Sequence, residues 1–191
     1  MKTIAHRGGI QREMQNSPEG VRLAARHKAD FVELDVVKGI DGAFHCVHGL
    51  GRRRLLEECL AEIGNHMDLI AHLKGRYEAA DLMLLADQIA RHIPLPRVFF
   101  ASHHARVLGQ LREMVPEARL ARFGLFPAIV ALWRHQPWDC CMINHLVLLK
   151  WHVGELQRRG HVVFASCVWE LRSREGVKRL GVDGAFVNLY R

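Results

Sequence analysis

Residues 31–37 read FVELDVV, and this stretch decides the fold class. Its β-branched and apolar residues predict a buried strand. The chain repeats such short runs, and longer stretches with helical periodicity separate them, which is typical of βαβ units. We predict strands near 2–7, 31–37, 67–74, 97–102, 118–123, 139–144, 161–168 and 184–189.

The intervening stretches predict helices, several with recognisable ends. Ser17 suits an N-cap and Pro18 the first helical turn, whereas Gly160 and Gly181 suit the positions after a helix. The predicted helices lie near 18–28, 55–64, 78–92, 104–115, 127–135, 146–159 and 170–180.

Eight strands alternating with helices favour a (β/α)8 TIM barrel, an α/β fold. A doubly wound open sheet is the alternative, because the alternation alone does not decide closure. With 191 residues the chain is shorter than a usual barrel of about 250, so we expect a trimmed barrel whose last helix is missing. No repeat or linker divides residues 1–191, which predicts a single domain.

Composition narrows the classes of partner. The apolar runs are too short to span a bilayer and the first residues do not resemble a signal peptide, so we expect a cytoplasmic protein without a membrane span. A formal charge of +7 favours anionic partners. Only the triplet 52–54 clusters arginines, which we interpret as a solvated loop, and no nucleic-acid binding is expected. Five cysteines without a C-x-x-C pair indicate reduced thiols, and nothing specifies an oligomeric state.

Polar pairs stand at the ends of the first two predicted strands. In a barrel, catalytic groups gather at the C-terminal ends of the strands. His6 and Arg7 end the first strand, and Glu33 and Asp35 lie two residues apart on the second. Because side chains alternate along a strand, both carboxylates are expected to point into the barrel.

The third strand ends with a further inward pair, His72 and Lys74. Two carboxylates inside an apolar strand need a compensating positive charge. A bound metal ion favours such oxygen ligands, and a salt-bridge network with Arg7 and Lys74 is the alternative. After the second strand, residues 43–48 alternate like a hairpin strand and are expected to bring His48 back to the barrel mouth.

These residues resemble the glycerophosphodiester phosphodiesterase family. The start IAHRGG matches its H-R-G motif, and ADFVELDV matches its A-D-x-x-E-L-D-V segment without a gap. Weaker matches are Asn16-Ser17, Asp41-Gly42 with Val47-His48, residues 55–60, and the closing G-V-D-G at 181–184.

The resemblance implies an enzyme that hydrolyses a small glycerophosphodiester to glycerol 3-phosphate and an alcohol. The implied alternatives on the same scaffold are a phospholipase D-like enzyme that forms a cyclic phosphate and a non-catalytic barrel that binds phosphate esters. The implied roles are acid and base for His6 and His48, phosphate binding for Arg7 and Lys74, and binding of a divalent metal ion for Glu33 and Asp35.

The chain departs from the family pattern at several positions. His72 replaces the family's third metal ligand, a glutamate two residues before the lysine. The resemblance implies Mg²⁺ or Ca²⁺, whereas an imidazole ligand favours Mn²⁺, Co²⁺, Ni²⁺ or Zn²⁺. Gly49 and Asn188 stand where the family has aspartates, and the stretch between His48 and Leu55 is shorter than in the family.

Overall fold

The structure is a computed structural model, and it describes residues 1–9, 13–65, 67–124, 138–168 and 171–188. All eight predicted strands are present, and a short hairpin adds two more. The strands are β1 (Lys2–Ala5), β2 (Phe31–Lys38), β3 (Phe44–Cys46), β4 (Arg54–Leu55), β5 (Asp68–Leu73), β6 (Val98–Ser102), β7 (Arg119–Gly124), β8 (Cys140–Asn144), β9 (Val162–Val168) and β10 (Gly184–Val187).

The sheet is a closed barrel and not an open sheet. Its parallel strands follow the order β1-β10-β9-β8-β7-β6-β5-β2. β1 then pairs with β2 as well, with Ile4 opposite Phe31 and Ala5 opposite Val32. This last pairing closes the cylinder, so the predicted (β/α)8 barrel is confirmed.

The helices lie outside the strands where the sequence predicts them. Ser17 caps the first helix by accepting a hydrogen bond from the Gly20 backbone amide, and Pro18 begins that helix. The helix predicted near 127–135 falls outside the described residues, and the described chain ends at Asn188, one residue after β10. The helices are α1 (Pro18–Arg26), α2 (Leu56–Leu60), α3 (Ala79–Ala90), α4 (Ala105–Met114), α5 (Lys150–Arg158) and α6 (Leu171–Leu180). Among the described helices, each is too short or too polar to cross a bilayer.

Alternation of side chains divides the core into two layers. Outward residues such as Val32 and Leu34 pack against the helices. Inward residues form a separate cluster in which Phe31 lies 5.5 Å from Phe164 and Phe99 lies 5.8 Å from Phe164, between ring centroids. This aromatic packing fills the barrel below the carboxylates of β2, and the guanidinium of Arg119 covers the Phe99 ring at the N-terminal end, 3.9 Å from its centroid.

The hairpin after β2 forms as predicted. β3 pairs antiparallel with the end of β2, from Val36 opposite Cys46 to Lys38 opposite Phe44. β4 then pairs with β3, which the sequence did not predict. The segment that follows β3 is thereby held at the barrel mouth.

The cysteines are free thiols, as predicted from their spacing. The four buried ones are Cys46, Cys59, Cys140 and Cys141, and Cys167 is partly exposed.

Candidate active site

Three neighbouring strands bring the predicted polar pairs together. β2 pairs with β1 on one side and with β5 on the other. The β2–β5 register places Asp35 opposite His72. Glu33 and Asp35 are each only 1% exposed, so both carboxylates lie inside the barrel.

Asp35 is the centre of this group of side chains. Its Oδ2 lies 3.0 Å from His48 Nδ1 and 3.1 Å from Arg7 Nε, and its Oδ1 lies 3.2 Å from Lys74 Nζ. Burial opposes ionisation of this carboxyl, but the hydrogen bond from His72 and the charge of Lys74 outweigh burial and hold its pKa far below the usual value. Asp35 is therefore an anion at neutral pH.

Glu33 and His72 form the inner part of the site. His72 Nδ1 lies 3.1 Å from Glu33 Oε1 and 3.4 Å from Asp35 Oδ1. The Arg7 backbone amide donates to Glu33 Oε2 at 3.0 Å. Burial alone would lower the pKa of His72, but its hydrogen bonds to Asp35 and Glu33 raise it above the usual histidine value.

The same cluster has the composition and spacing of a metal site. One ligand atom from each of Glu33, Asp35 and His72 lies within 4.8 Å of the other two. Ligands bound at about 2.1 Å to one ion lie roughly 3 Å apart, close to the separations from His72 Nδ1. Two carboxylates and an imidazole therefore fit a divalent ion. Arg7 and Lys74 also form salt bridges to Asp35, as the alternative interpretation expected.

The two predicted acid–base histidines lie in different environments. His6 is partly buried and meets the Phe186 ring edge-on, with 6.3 Å between centroids. Burial lowers the pKa of His6, and the charge of Glu33 opposes this only in part. The His48 side chain is 49% exposed and reaches the site from the hairpin.

Asn16 supports Asp35 and was missed as a site residue by sequence reasoning. Its Oδ1 accepts from the Asp35 backbone amide at 2.8 Å, and its Nδ2 lies 3.4 Å from Asp35 Oδ2. The backbone amide of Asn16 donates to the backbone carbonyl of Arg7 at 2.9 Å. Asn16 and Arg7 both have a φ of 54°, a conformation that non-glycine residues adopt uncommonly. Through these hydrogen bonds, Asn16 connects Arg7, which follows the first strand, to Asp35 on β2.

The glycine after Arg7 is required by close packing. Gly8 has a φ of +71°, and a Cβ there would lie 3.0 Å from the backbone carbon of Gly20 on α1. The H-R-G segment therefore packs directly against this helix, which holds His6 and Arg7 at the barrel mouth.

Further strands complete the cavity around the carboxylates. The His72 ring stacks on Phe123 at 4.1 Å between centroids, and His103 stacks on the same ring at 5.0 Å. Burial and the neighbouring charges of His72 and Lys74 lower the pKa of His103 to about 4. The cavity measures about 160 Å³ and is lined by His6, Arg7, Glu33, Asp35, His72, Lys74, His103, Phe123, Gly124, Asn144, Ser166, Cys167 and Phe186.

His103, Asn144 and Ser166 could have been found from the same alternation that identified His72. Each lies two residues after an inward apolar residue, Ala101, Met142 and Phe164 respectively. Each of these residues lacks a second polar residue two positions away. Their strands therefore do not show the paired pattern of Glu33 with Asp35 or of His72 with Lys74.

Comparison with solved structures identifies the fold. A phosphodiesterase from Oleispira antarctica, solved with its product sn-glycerol 3-phosphate, matches with a TM-score of 0.87 and 18% identity, over 98% of this chain and 92% of that one. A glycerophosphodiester phosphodiesterase from Parabacteroides distasonis matches with a TM-score of 0.84 at 18% identity, with coverages of 98% and 92%. One from Thermotoga maritima matches with a TM-score of 0.77 at 16% identity, with coverages of 98% and 94%.

No family model matches the sequence, and no curated protein matches it. At these low identities the likeness rests on the path of the backbone. The chain shares its whole barrel with structures of glycerophosphodiester phosphodiesterases, in agreement with the resemblance of its motifs.

Proposed function

We propose that the chain is a metal-dependent glycerophosphodiester phosphodiesterase that releases glycerol 3-phosphate and an alcohol. One observation carries the proposal: Asp35 contacts His48, Arg7 and Lys74 at 3.0 to 3.2 Å, at the mouth of the barrel. Cations, carboxylates and imidazoles around one point are what hydrolysis of an anionic diester requires. The fold shared with the phosphodiesterase structures supports the same conclusion.

Glu33, Asp35 and His72 would hold the divalent ion. When bound, such an ion supplies Lewis-acid stabilisation of the charge that develops on the phosphoryl oxygens. The donor set of two oxygens and one imidazole nitrogen suits Mn²⁺, Co²⁺, Ni²⁺ or Zn²⁺ better than a site of three carboxylates would.

Arg7 and Lys74 are proposed to bind the substrate phosphate. Their side chains are 18% and 33% exposed, so they border the cavity while remaining paired with Asp35. Their ion pairs with Asp35 hold both side chains in position before the substrate binds. A guanidinium and an ammonium so positioned stabilise the charge of the reacting diester.

His6 is proposed as the general base and His48 as the general acid. Because its pKa lies below the usual value, His6 is neutral at pH 7 and accepts a proton from the attacking water. Asp35 engages His48 Nδ1, which leaves Nε2 to donate a proton to the departing alcohol oxygen. The new P–O bond forms as the bond to the alcohol breaks, so each imidazole ends with the opposite protonation state.

The test is hydrolysis of glycerophosphocholine, glycerophosphoglycerol and bis-p-nitrophenyl phosphate by metal-stripped protein, with each divalent metal restored in turn. Turnover that needs metal and is lost in His6→Ala and Glu33→Ala is expected. Glu113→Ala is the matched control, because Glu113 is an exposed carboxylate on α4. Absence of turnover with every metal and diester, in folded protein, would favour the non-catalytic barrel.

The chemistry of the product separates hydrolysis from the cyclic alternative. Attack by water yields a phosphate monoester, whereas attack by an internal hydroxyl yields a cyclic phosphate. The two have distinct phosphorus NMR signals. Detection of a cyclic end product would contradict the proposed hydrolase activity and favour a phospholipase D-like enzyme.

A further inference from the structure

A second and larger cleft opens beside the catalytic cavity. It measures about 690 Å³, within the range of sites that hold drug-sized ligands. Arg7 lines both spaces, and His48 and Asn16, which contact Asp35, form part of the cleft wall. A substrate whose scissile phosphate contacts Arg7 can therefore extend into this cleft.

The cleft is lined by two arginines from the triplet that the sequence suggested was a solvated loop. Arg52 and Arg54 line it, whereas the neighbouring Arg53 does not. Among the described residues, Arg52 and Arg54 have no ion-pair partner. Glu19 on α1 lies close enough for the charge of Arg54 to contribute to lowering the pKa of its carboxyl. Glu13 is the one acidic side chain among the described lining residues.

Strand pairing fixes the backbone of one of these arginines beside the cleft. Arg54 belongs to β4 and pairs with Cys46, a fully buried residue of β3. The same hairpin carries His48, two residues beyond Cys46. The positions of the proposed proton donor and of the Arg54 backbone are thus set by one element.

We propose that this cleft, lined by Arg7, Arg52 and Arg54, binds a second anionic group carried by the alcohol moiety of the diester. The proposal rests on the function proposed above, in which His48 protonates the departing alcohol. Since His48 faces the cleft, the alcohol moiety lies there. A choline or ethanolamine ammonium would meet guanidinium groups of like charge, whereas a phosphate or carboxylate would be attracted to them.

Two matched pairs of substrates test this inference. Glycerophosphoinositol 4-phosphate differs from glycerophosphoinositol by one phosphate, and glycerophosphoserine differs from glycerophosphoethanolamine by one carboxylate. We expect kcat/KM to be about tenfold higher for the more anionic member of at least the phosphate pair, and the preference to weaken as salt is raised. A preference in both pairs would identify a general anion site, and one confined to the inositol pair a phosphate site.

Variants assign the preference to the cleft. Arg52→Gln and Arg54→Gln are each expected to remove most of the preference through a higher KM, with turnover of glycerophosphoinositol unchanged. Arg53→Gln is the matched control and should keep the wild-type preference. Equal kcat/KM within both pairs, or equal loss in all three variants, would overturn the inference while leaving the phosphodiesterase intact.

Binding distinguishes failure of the cleft from failure of the enzyme. If no diester is hydrolysed, the proposed function fails, and calorimetry with the two inositol diesters still tests the cleft. Tighter binding of the 4-phosphate, weakened about tenfold by Arg52→Gln but not by Arg53→Gln, would support it. Equal binding of the two would refute it.

Discussion

His48 Nδ1 lies 3.0 Å from Asp35 Oδ2, and the backbone makes a second contact between the same two elements. The amide of Val47 donates to the Asp35 carbonyl at 3.0 Å. The hairpin is therefore anchored to β2 by main chain and side chain at the centre of the candidate site. An imidazole oriented by a buried carboxylate is held in one position for proton transfer.

Replacing His48 tests its proposed role as general acid. We expect His48→Ala to lower kcat by roughly 10² to 10⁴-fold, the usual contribution of a positioned acid. Because the side chain is 49% exposed, the melting temperature should change little. His45→Ala is the control from the same hairpin, since His45 pairs with Asp41 and not with Asp35. Similar kcat losses in both variants would contradict the assignment.

Asn16 is predicted to position Asp35. Asn16→Ala leaves the buried Asp35 amide without its side-chain acceptor, which should cost about 1 to 3 kcal/mol in the free energy of unfolding. We also expect kcat to fall about 10 to 100-fold with little change in KM, as when a supporting partner of a site residue is removed. Asn65→Ala, at an exposed turn, should alter neither quantity. An unchanged kcat in Asn16→Ala would show that Asp35 keeps its position without the amide.

His72→Glu tests how the third ligand selects the metal. A third carboxylate makes the site harder and more negative, so activity with Mg²⁺ or Ca²⁺ should rise relative to activity with Mn²⁺, Co²⁺, Ni²⁺ or Zn²⁺. Metal titration of stripped protein measures the change. Without metal, three buried carboxylates repel one another and the variant should unfold more easily than wild type. The same order of metals in both proteins would show that residue 72 does not bind the ion.

The pH dependence follows from the environment of His6. The base must be neutral, and burial lowers its pKa below the reference value of 6.5. Activity should therefore rise with pH through a midpoint below 6.5. At neutral pH, protonation of His6 should no longer limit it. The dependence of kcat/KM on pH reports the free enzyme. An acid limb with its midpoint above 7 would exclude His6 as the base.

Much of the architecture follows from local patterns. The eight runs of β-branched and aromatic residues predicted the barrel strands to within about two residues, because a buried strand needs such side chains wherever it lies. The pairs Glu33 with Asp35 and His72 with Lys74 were also predictable, since a period of two places both members on one side of a strand. One difference at a strand end also has a local cause. β1 ends at Ala5 and not at the predicted residue 7, because the H-R-G segment turns sharply.

The sequence by itself therefore determined the strands, the inward faces and the residue types available for chemistry. Tertiary structure alone decided closure, through the pairing of β1 with β2, and made Asp35 the common partner of His48, Arg7 and Lys74. It also placed Asn16 against Asp35 and turned Arg52 and Arg54 toward a cleft. These contacts join segments that are distant in sequence, and their distances depend on how strands and loops pack, which no local periodicity encodes.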